Sequence, residues 1–265
     1  MKSITLFYSY GMGGWGDFIK GLHTVWCWSK AMKRDVRIHF HNHIFGTLFP
    51  QHVHSEVQQI HLRLIDKVGK ATLQDFLPLE QIDDIVVTCN WFSLTSVDNT
   101  YYTEFYRELY TTLIPVRPLI HPFSYHVLHC RLGDKYLTEA TSCKGDNRIG
   151  SIAKLKSLVD EYNALGHEHT LVCSDSASIV KHLLTHVKGA FAICQQPYHI
   201  AYNSPTIHIH KDDIYTMIQE HEAMTHALTI TKVAYSGFPI TAARIGSVPL
   251  YIYEDNVRKL YNDLL

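Results

Sequence analysis

The chain begins with a strand that runs into a glycine turn and then a helix, and this unit restricts the fold more than any other feature of the sequence. Residues Ser3 to Ser9 are β-rich and lead into Gly11-Met12-Gly13-Gly14-Trp15-Gly16; Phe18, Leu22, Val25, Trp26 and Ser29 then fall at helical spacing up to Arg34. The alternation continues with a strand at Val36 to Phe40, a helical stretch at about Ser55 to Val68, a strand at Asp84 to Cys89 and a helix from about Tyr101 to Leu113. Pro115, Pro118 and Pro122 then interrupt it, each removing a donor and holding its predecessor extended, as a linker would. Beyond them strands are expected at Ser124 to Cys130, Thr170 to Cys173, Phe191 to Cys194, Thr206 to Ile209, Ala227 to Ile230 and Val248 to Ile252. Helices are expected at Ile152 to Leu165, Ala177 to Thr185, Asp213 to Thr225, from Pro239, and as a closing amphipathic element at Asp255 to Leu264. The pattern predicts an α/β chain of two Rossmann-like domains, residues 1–118 and 119–265, facing a cleft.

Composition narrows the function classes. At 265 residues, with 46% hydrophobic and 18% charged residues, the chain is globular rather than disordered or fibrous. A formal net charge of -1 supplies no basic surface for a phosphate backbone, so nucleic acid is not an expected partner. The six cysteines, Cys27, Cys89, Cys130, Cys143, Cys173 and Cys194, are scattered singly, as reduced thiols in a cytoplasmic protein are. The apolar stretch after Met1 is too short for a signal peptide or a membrane span, so a soluble protein without an anchor is expected. Nineteen histidines are many, and His39, His41 and His43 face one side if their segment is a strand. No acidic or cysteine partner stands in register with them, nor with His52 and His54 or His208 and His210, and no metal site is assigned.

Four short motifs carry the chemistry. Gly11, Gly13 and Gly16 match a G-x-G-x-x-G turn between strand and helix, but Asp35 precedes the second strand and no acid follows it to hold a ribose. What remains is a loop whose backbone N–H groups can approach an anion; a ligand-free tight turn fits the same glycines. The second motif is His129-Cys130-Arg131-Leu132-Gly133-Asp134. It puts an arginine at a strand's carboxyl end, where its planar fork suits a diphosphate, although a solvated Arg beside a Gly-Asp turn fits equally. In Ser174-Asp175-Ser176 the aspartate can accept from a base edge or ribose, or cap the following helix. Finally, Tyr235-Ser236-Gly237-Phe238-Pro239-Ile240-Thr241-Ala242-Ala243 is a small-residue turn entering a helix, with free N–H groups for a second anion site.

In this order the four pieces resemble the fucosyltransferase superfamily of GT-B glycosyltransferases. Gly14-Trp15-Gly16-Asp17 looks like its G-x-G-[NX] loop, His129, Arg131, Gly133 and Asp134 its H-x-R-x-G-D, Ser174-Asp175 its S-D, and Ser236, Phe238, Ala242 and Ala243 its S-x-F-S-x-x-A-A. The resemblance implies a nucleotide-sugar donor held mainly by the second domain, with Arg131 on the diphosphate, His129 and Asp175 near base or ribose, and Ser236 with Tyr235, Gly237 and Phe238 on the phosphates. Gly14, Trp15, Gly16 and Ser174 complete the implied donor contacts. Asp17 stands where the family often has Asn, Pro239 replaces the second Ser of the turn, and Arg131 has no adjacent second arginine.

The expected reaction is an inverting transfer, GDP-fucose favoured, to a hydroxyl of a glycan acceptor. Arg131 would stabilise the departing diphosphate and Asp17 would serve as general base, or simply as a first-turn acid that the helix dipole favours. His39, His41 and His43, with Trp15, Tyr101 and Tyr102, are candidates for the acceptor side. No metal or other cofactor is required: Asp83-Asp84 and Asp212-Asp213 are adjacent pairs that suit a strand start and a helix cap. Two alternatives stay open: a UDP-sugar donor such as UDP-xylose on the same fold, and a non-catalytic sugar- or nucleotide-binding protein. A bacterial or viral cytosolic setting and a homodimer are compatible with these features.

Overall fold

A computed structural model describes residues 2–52, 60–63, 82–90, 99–119, 121–131, 152–195, 197, 210–234, 236–254 and 257–261. Contacts divide the chain into two compact units, Met1–Pro115 with Ile200–Lys211, and Val116–His199 with Asp212–Leu265. The expected strand at Thr206 to Ile209 lies outside the described residues.

Unit 1 has a parallel four-stranded sheet in the order β2-β1-β4-β3. β1 (Ser3–Ser9) leads into α1 (Trp15–Met32), which returns the chain to β2 (Asp35–His41). α1 is helical because Phe18, Leu22, Val25 and Trp26 recur on one face and are fully buried, and it ends where Lys33 turns left-handed at φ 53. A short α2 (Phe45–Leu48) and a single 3₁₀ turn follow β2. β3 (Ile60–Arg63) and β4 (Asp84–Thr88) precede α3 (Asn99–Glu108), whose last turn widens into a π-helix at Leu109–Leu113. Trp26 donates from Nε1 to Glu108 at 2.8 Å, which ties α1 to the end of α3.

Unit 2 has six strands in the order β10-β9-β8-β5-β6-β7, parallel except for β10. They are β5 (His126–Cys130), β6 (Thr170–Ser174), β7 (Ala190–Phe191), β8 (Ile230–Val233), β9 (Leu250–Glu254) and β10 (Val257–Leu260). Between them run α4 (Ile152–Ala164), α5 (Ala177–His186), α6 (Lys211–Met224) and α7 (Gly237–Gly246). The strand period of two sorts the core. Val127, Leu171, Cys173 and Ile230 pack with Ala223 and Met224 of α6 and with Ile240, Ala242 and Ala243 of α7. Leu128, Cys130 and Val172 pack on the other face with Leu155, Leu158 and Val159 of α4 and Ile179 and Leu183 of α5. Among the described residues no helix is long and apolar enough to cross a membrane.

Four sequence expectations change. The strand expected at Phe191 to Cys194 is only the two-residue β7, Ala190–Phe191, which pairs with Thr170 and Leu171. Ser55 to Val68 is not one helix, because β3 lies inside it and pairs with β4, following the alternation of Ile60 and Leu62. The strand expected at Ala227 to Ile230 begins only at Ile230, since the amides of Thr225, His226 and Ala227 still bond to carbonyls three residues back and prolong the exit from α6. Asp255 to Leu264 contains the antiparallel strand β10 rather than a closing helix. There Arg258 lies 3.4 Å from the Tyr251 ring centre and donates from Nε to Thr231 at 3.0 Å, a cross-strand anchor that a helix would forgo.

Gly21 sets the distance between α1 and the sheet, because a Cβ there would collide with the backbone carbonyl of Cys89. A carbonyl cannot yield as a flexible side chain can. Gly21→Ala should therefore destabilise the protein by about 1–3 kcal/mol, read as a lowered urea midpoint with an unchanged slope.

Candidate functional site

In unit 2 the chain moves from β5 outward to β6 and β7, then returns to the opposite side of β5 with β8. α4, which follows β5, covers one face of the sheet and α7, which follows β8, covers the other, so β5 and β8 border the crevice that such a switch leaves at their carboxyl ends. Arg131 is the first residue past β5, and its amide donates to Val233 O at 3.4 Å. Strand parity puts His129 and Arg131, together with Cys173 and Asp175 of the neighbouring strand, on the α6/α7 face.

The side chains agree with that placement. Arg131 Nε lies 3.8 Å from Asp175 Oδ2, an ion pair too long for a hydrogen bond and partly open to solvent. Asp175 is not the cap of α5; Ser176 holds that position, and its amide donates to Ser174 Oγ at 3.2 Å. The aspartate is thus released from helix capping and faces the arginine. Ser236 is the N-cap of α7 but makes no side-chain capping bond. Gly237 and Phe238 occupy the first two helical positions and Pro239 the third, leaving two amides in that turn rather than three. His129 is buried and stacked on the Phe238 ring at 5.9 Å, and burial, with Arg131 and then Lys232 nearby, lowers its pKa to about 3. It is therefore a neutral imidazole packed behind the turn. Tyr235, Gly133 and Asp134 lie outside the described residues.

Unit 1 has a comparable switch between β1 and β4, and the glycine loop sits there. Gly11 and Gly13 have φ values of 85° and 108°, which only glycine adopts without strain. Tyr8 and Asn90 both donate to Met12 O, at 3.0 and 3.1 Å, and His43 Nε2 lies 3.2 Å from Gly13 O. Because each peptide is trans and planar, amides 13 and 14 point away from those donors. This directs two N–H groups away from Tyr8, Asn90 and His43 at the start of α1. Trp15, by contrast, is core, packed on Phe18 and Phe45 with its ring buried, so any donor contact from it would come through backbone. Gly16 is likewise buried in the first turn of α1. Asp17 pairs with the buried Lys20 at 2.9 Å, and its carboxylate rests directly against Gly13.

The three histidines after β1 separate. His39 and His41 stack on Phe7, at 5.1 and 5.4 Å, but His43 does not share their face. Asn42 turns left-handed at φ 49, ends the strand, and sends His43 into the aromatic core beside Tyr8 and Phe45. There its Nδ1 accepts from the Phe45 amide while Nε2 donates to Gly13, a neutral tautomer that burial maintains by lowering the pKa to about 4. His52 is tied to Leu113 O at 2.9 Å, and the side chains of Tyr101 and Tyr102, with His54 and His208, lie outside the described residues. Among the described residues no group of three or more His, Cys, Asp or Glu is arranged to hold a metal.

Sequence reasoning missed Asn90, Lys20 and the run Glu220-His221-Glu222, all buried. The last carried a signal, three consecutive ionisable residues inside a helix of apolar spacing. Burial raises Glu220 to about 8 and lowers His221 to about 3. A separate cavity of about 350 Å³ near the amino end of β5, lined by Pro118, His121, Pro122, Tyr125 and His226 among others, shares none of these residues.

No known family profile matches the chain, and no curated protein matches it. Solved structures do. The chain is similar to a mutant of Arabidopsis thaliana FUT1 in complex with GDP, with a TM-score of 0.53 and 11% identity over 97% of this chain and 72% of that one. It is also similar to NodZ alpha-1,6-fucosyltransferase soaked with GDP-fucose, with a TM-score of 0.51 and 11% identity over 98% and 99% of the two chains. The fucosyltransferase NodZ from Bradyrhizobium gives 0.52 and 12% over the same shares. At such identities the likeness establishes the fold, α/β of the GT-B class.

The buried imidazoles make stability depend on pH. Between about pH 4.5 and 6.5 the unfolded chain protonates His43, His129 and His221 while the folded chain does not. Glu220 acts in the opposite sense, retaining in the fold a proton that the unfolded chain has lost. The three histidines outweigh it, so stability should fall by roughly 3 kcal/mol from pH 7 to pH 5. Equal urea midpoints at the two values would contradict these assignments.

Proposed function

We propose that this chain is a glycosyltransferase that moves a sugar from a nucleotide-sugar donor, GDP-fucose foremost, to a hydroxyl of a glycan acceptor with inversion. The observation that carries this reading is Arg131, held at the carboxyl end of β5 beside Asp175, on the sheet face that α7 covers. Its support from outside is the shared fold with proteins whose structures hold GDP or GDP-fucose.

In such a transfer the acceptor oxygen forms a bond to the anomeric carbon as the bond from that carbon to the diphosphate breaks. The nucleoside diphosphate leaves with the electron pair. Positive charge develops on the sugar and negative charge on the leaving group, so catalysis rests on donors placed where that negative charge appears. A guanidinium supplies two parallel N–H donors to phosphate oxygens, and the Gly237 and Phe238 amides at the positive end of α7 supply two more. Asp175, with Oδ2 3.8 Å from Arg131 Nε, orients the guanidinium through its charge. The reaction needs no metal in this scheme.

The acceptor proton requires a base, and Asp17 in unit 1 is the candidate. It pairs with Lys20 at 2.9 Å, and an acid there equally suits the first turn of α1.

Two experiments test these roles. In a thermal-shift panel of GDP, UDP and their sugars, one nucleotide family should stabilise the wild type, by about 2.7 kcal/mol at 100 times its dissociation constant. Arg131→Ala should lose most of that gain and about 10²- to 10³-fold in turnover; near-normal turnover would remove Arg131 from the site. Stabilisation by nucleotide without transfer or donor hydrolysis would instead mark a binding protein. Asp17→Asn should abolish the acidic limb of the pH–rate profile, and a profile that keeps its shape would assign Asp17 to helix initiation alone.

A further inference from the structure

α6 places three consecutive ionisable residues inside unit 2, and His221 in the middle is fully buried. It touches the ligand turn through a hydrogen bond with the Phe238 backbone and in two further ways. His221 Nε2 lies 2.8 Å from Thr241 Oγ1, and its ring meets the Phe238 ring edge-on at 4.8 Å. Thr241 in turn reaches back along α7, with its hydroxyl 2.9 Å from both Gly237 O and Phe238 O. A carbonyl only accepts, so the single hydroxyl hydrogen belongs to that side and His221 must be the donor to Thr241.

The direction of this chain matters for the turn. The carbonyl of Gly237 and the amide of Phe238 belong to one peptide group. A hydrogen bond received by the carbonyl draws electron density from the amide and strengthens it as a donor at its other end. Pro239 has removed the next amide, so Phe238 N–H is the inner of the two that remain in the turn. Phe238 is also the residue on which His129 stacks, so its peptide and its ring are both fixed from behind.

We propose that His221 and Thr241 are positioning residues for the diphosphate, forming a relay from His221 Nε2–H through the Thr241 hydroxyl to the Gly237 carbonyl that aims and polarises the Phe238 amide. This rests on the donor site proposed above and names the part of the ligand it serves. The relay acts on phosphate oxygens and leaves the nucleoside unaffected.

The test compares GDP with guanosine by calorimetry on the full chain, with UDP and uridine in parallel. Thr241→Val, which removes the hydroxyl at nearly constant volume, should weaken the diphosphate about tenfold and leave the nucleoside within twofold. Thr241→Ser should restore diphosphate affinity, and His221→Gln, which keeps an amide donor, should bind the diphosphate better than His221→Leu. In turnover assays the loss should appear in KM for the donor together with kcat, because the same amide meets ground-state and developing charge. Equal losses for diphosphate and nucleoside in Thr241→Val, or no recovery in Thr241→Ser, would reduce both residues to packing and overturn the relay. A wild type that binds neither GDP nor UDP would overturn the donor site itself and the relay with it. Should Thr241→Val fail to fold, the His221→Gln and His221→Leu pair makes the same comparison.

Discussion

The reversal of chain direction beside β5 is the constraint on which the second unit depends. A parallel strand needs a helix to reach its neighbour, and a helix must take one face of the sheet or the other. α4 packs on one face of the sheet and α7 on the opposite face, and such a reversal leaves a crevice at the carboxyl ends of β5 and β8. The residue that follows β5 then stands at the border of that crevice whatever its identity. Here it is arginine, and parity gives Asp175 the same face one strand away. The topology makes the crevice, and two side chains give it a charge.

Behind the crevice the sheet accepts an unusual polar load. His129, His221, Thr241, Lys232 and Glu220 are all buried on the side of β5 and β8 that α6 and α7 cover. Burying a polar group costs least when it is hydrogen-bonded, and burying a charge is avoided where the group stays neutral. The imidazoles stay uncharged, Glu220 keeps its proton more readily than an exposed carboxyl and accepts from the Cys194 amide, and Lys232 lies 3.9 Å from the Tyr261 ring centre. An apolar core would be simpler to build. This one adds directed hydrogen bonds, and its lysine, Lys232, rests on an aromatic ring.

What could be read from the sequence follows from which forces are local. The strand, glycine turn and helix of unit 1 were legible because Gly11 and Gly13 need positive φ and α1 has an apolar face of regular spacing. Arg131 and Asp175 were legible because a polar residue directly after an apolar strand has few places to point. β3 was not, since its four residues gain their order by pairing with β4 rather than from their own preferences. Nor was β10, whose amphipathic sequence suits a helix until Tyr251 and Thr231 offer Arg258 a cross-strand partner. His43 was misplaced by a single left-handed residue, Asn42, that no periodicity announces.

The two anion-friendly turns are not equivalent, and electrostatics separates them. In unit 1 the amides of residues 13 and 14 point away from the donors that hold the loop, but the Asp17 carboxylate rests against Gly13 and its charge is balanced by Lys20. A diphosphate brought there would meet a carboxylate already paired with Lys20, so the loop offers it no net positive charge. In unit 2 the corresponding turn has no acid in its first helical turn, and the neighbouring strand end carries a guanidinium. Under the proposed reaction the leaving group therefore belongs to unit 2. The glycine loop, neutral overall and with a carboxylate at its edge, suits a group that donates a proton, which is what an acceptor hydroxyl does. The sign of one residue, Asp17, decides that division.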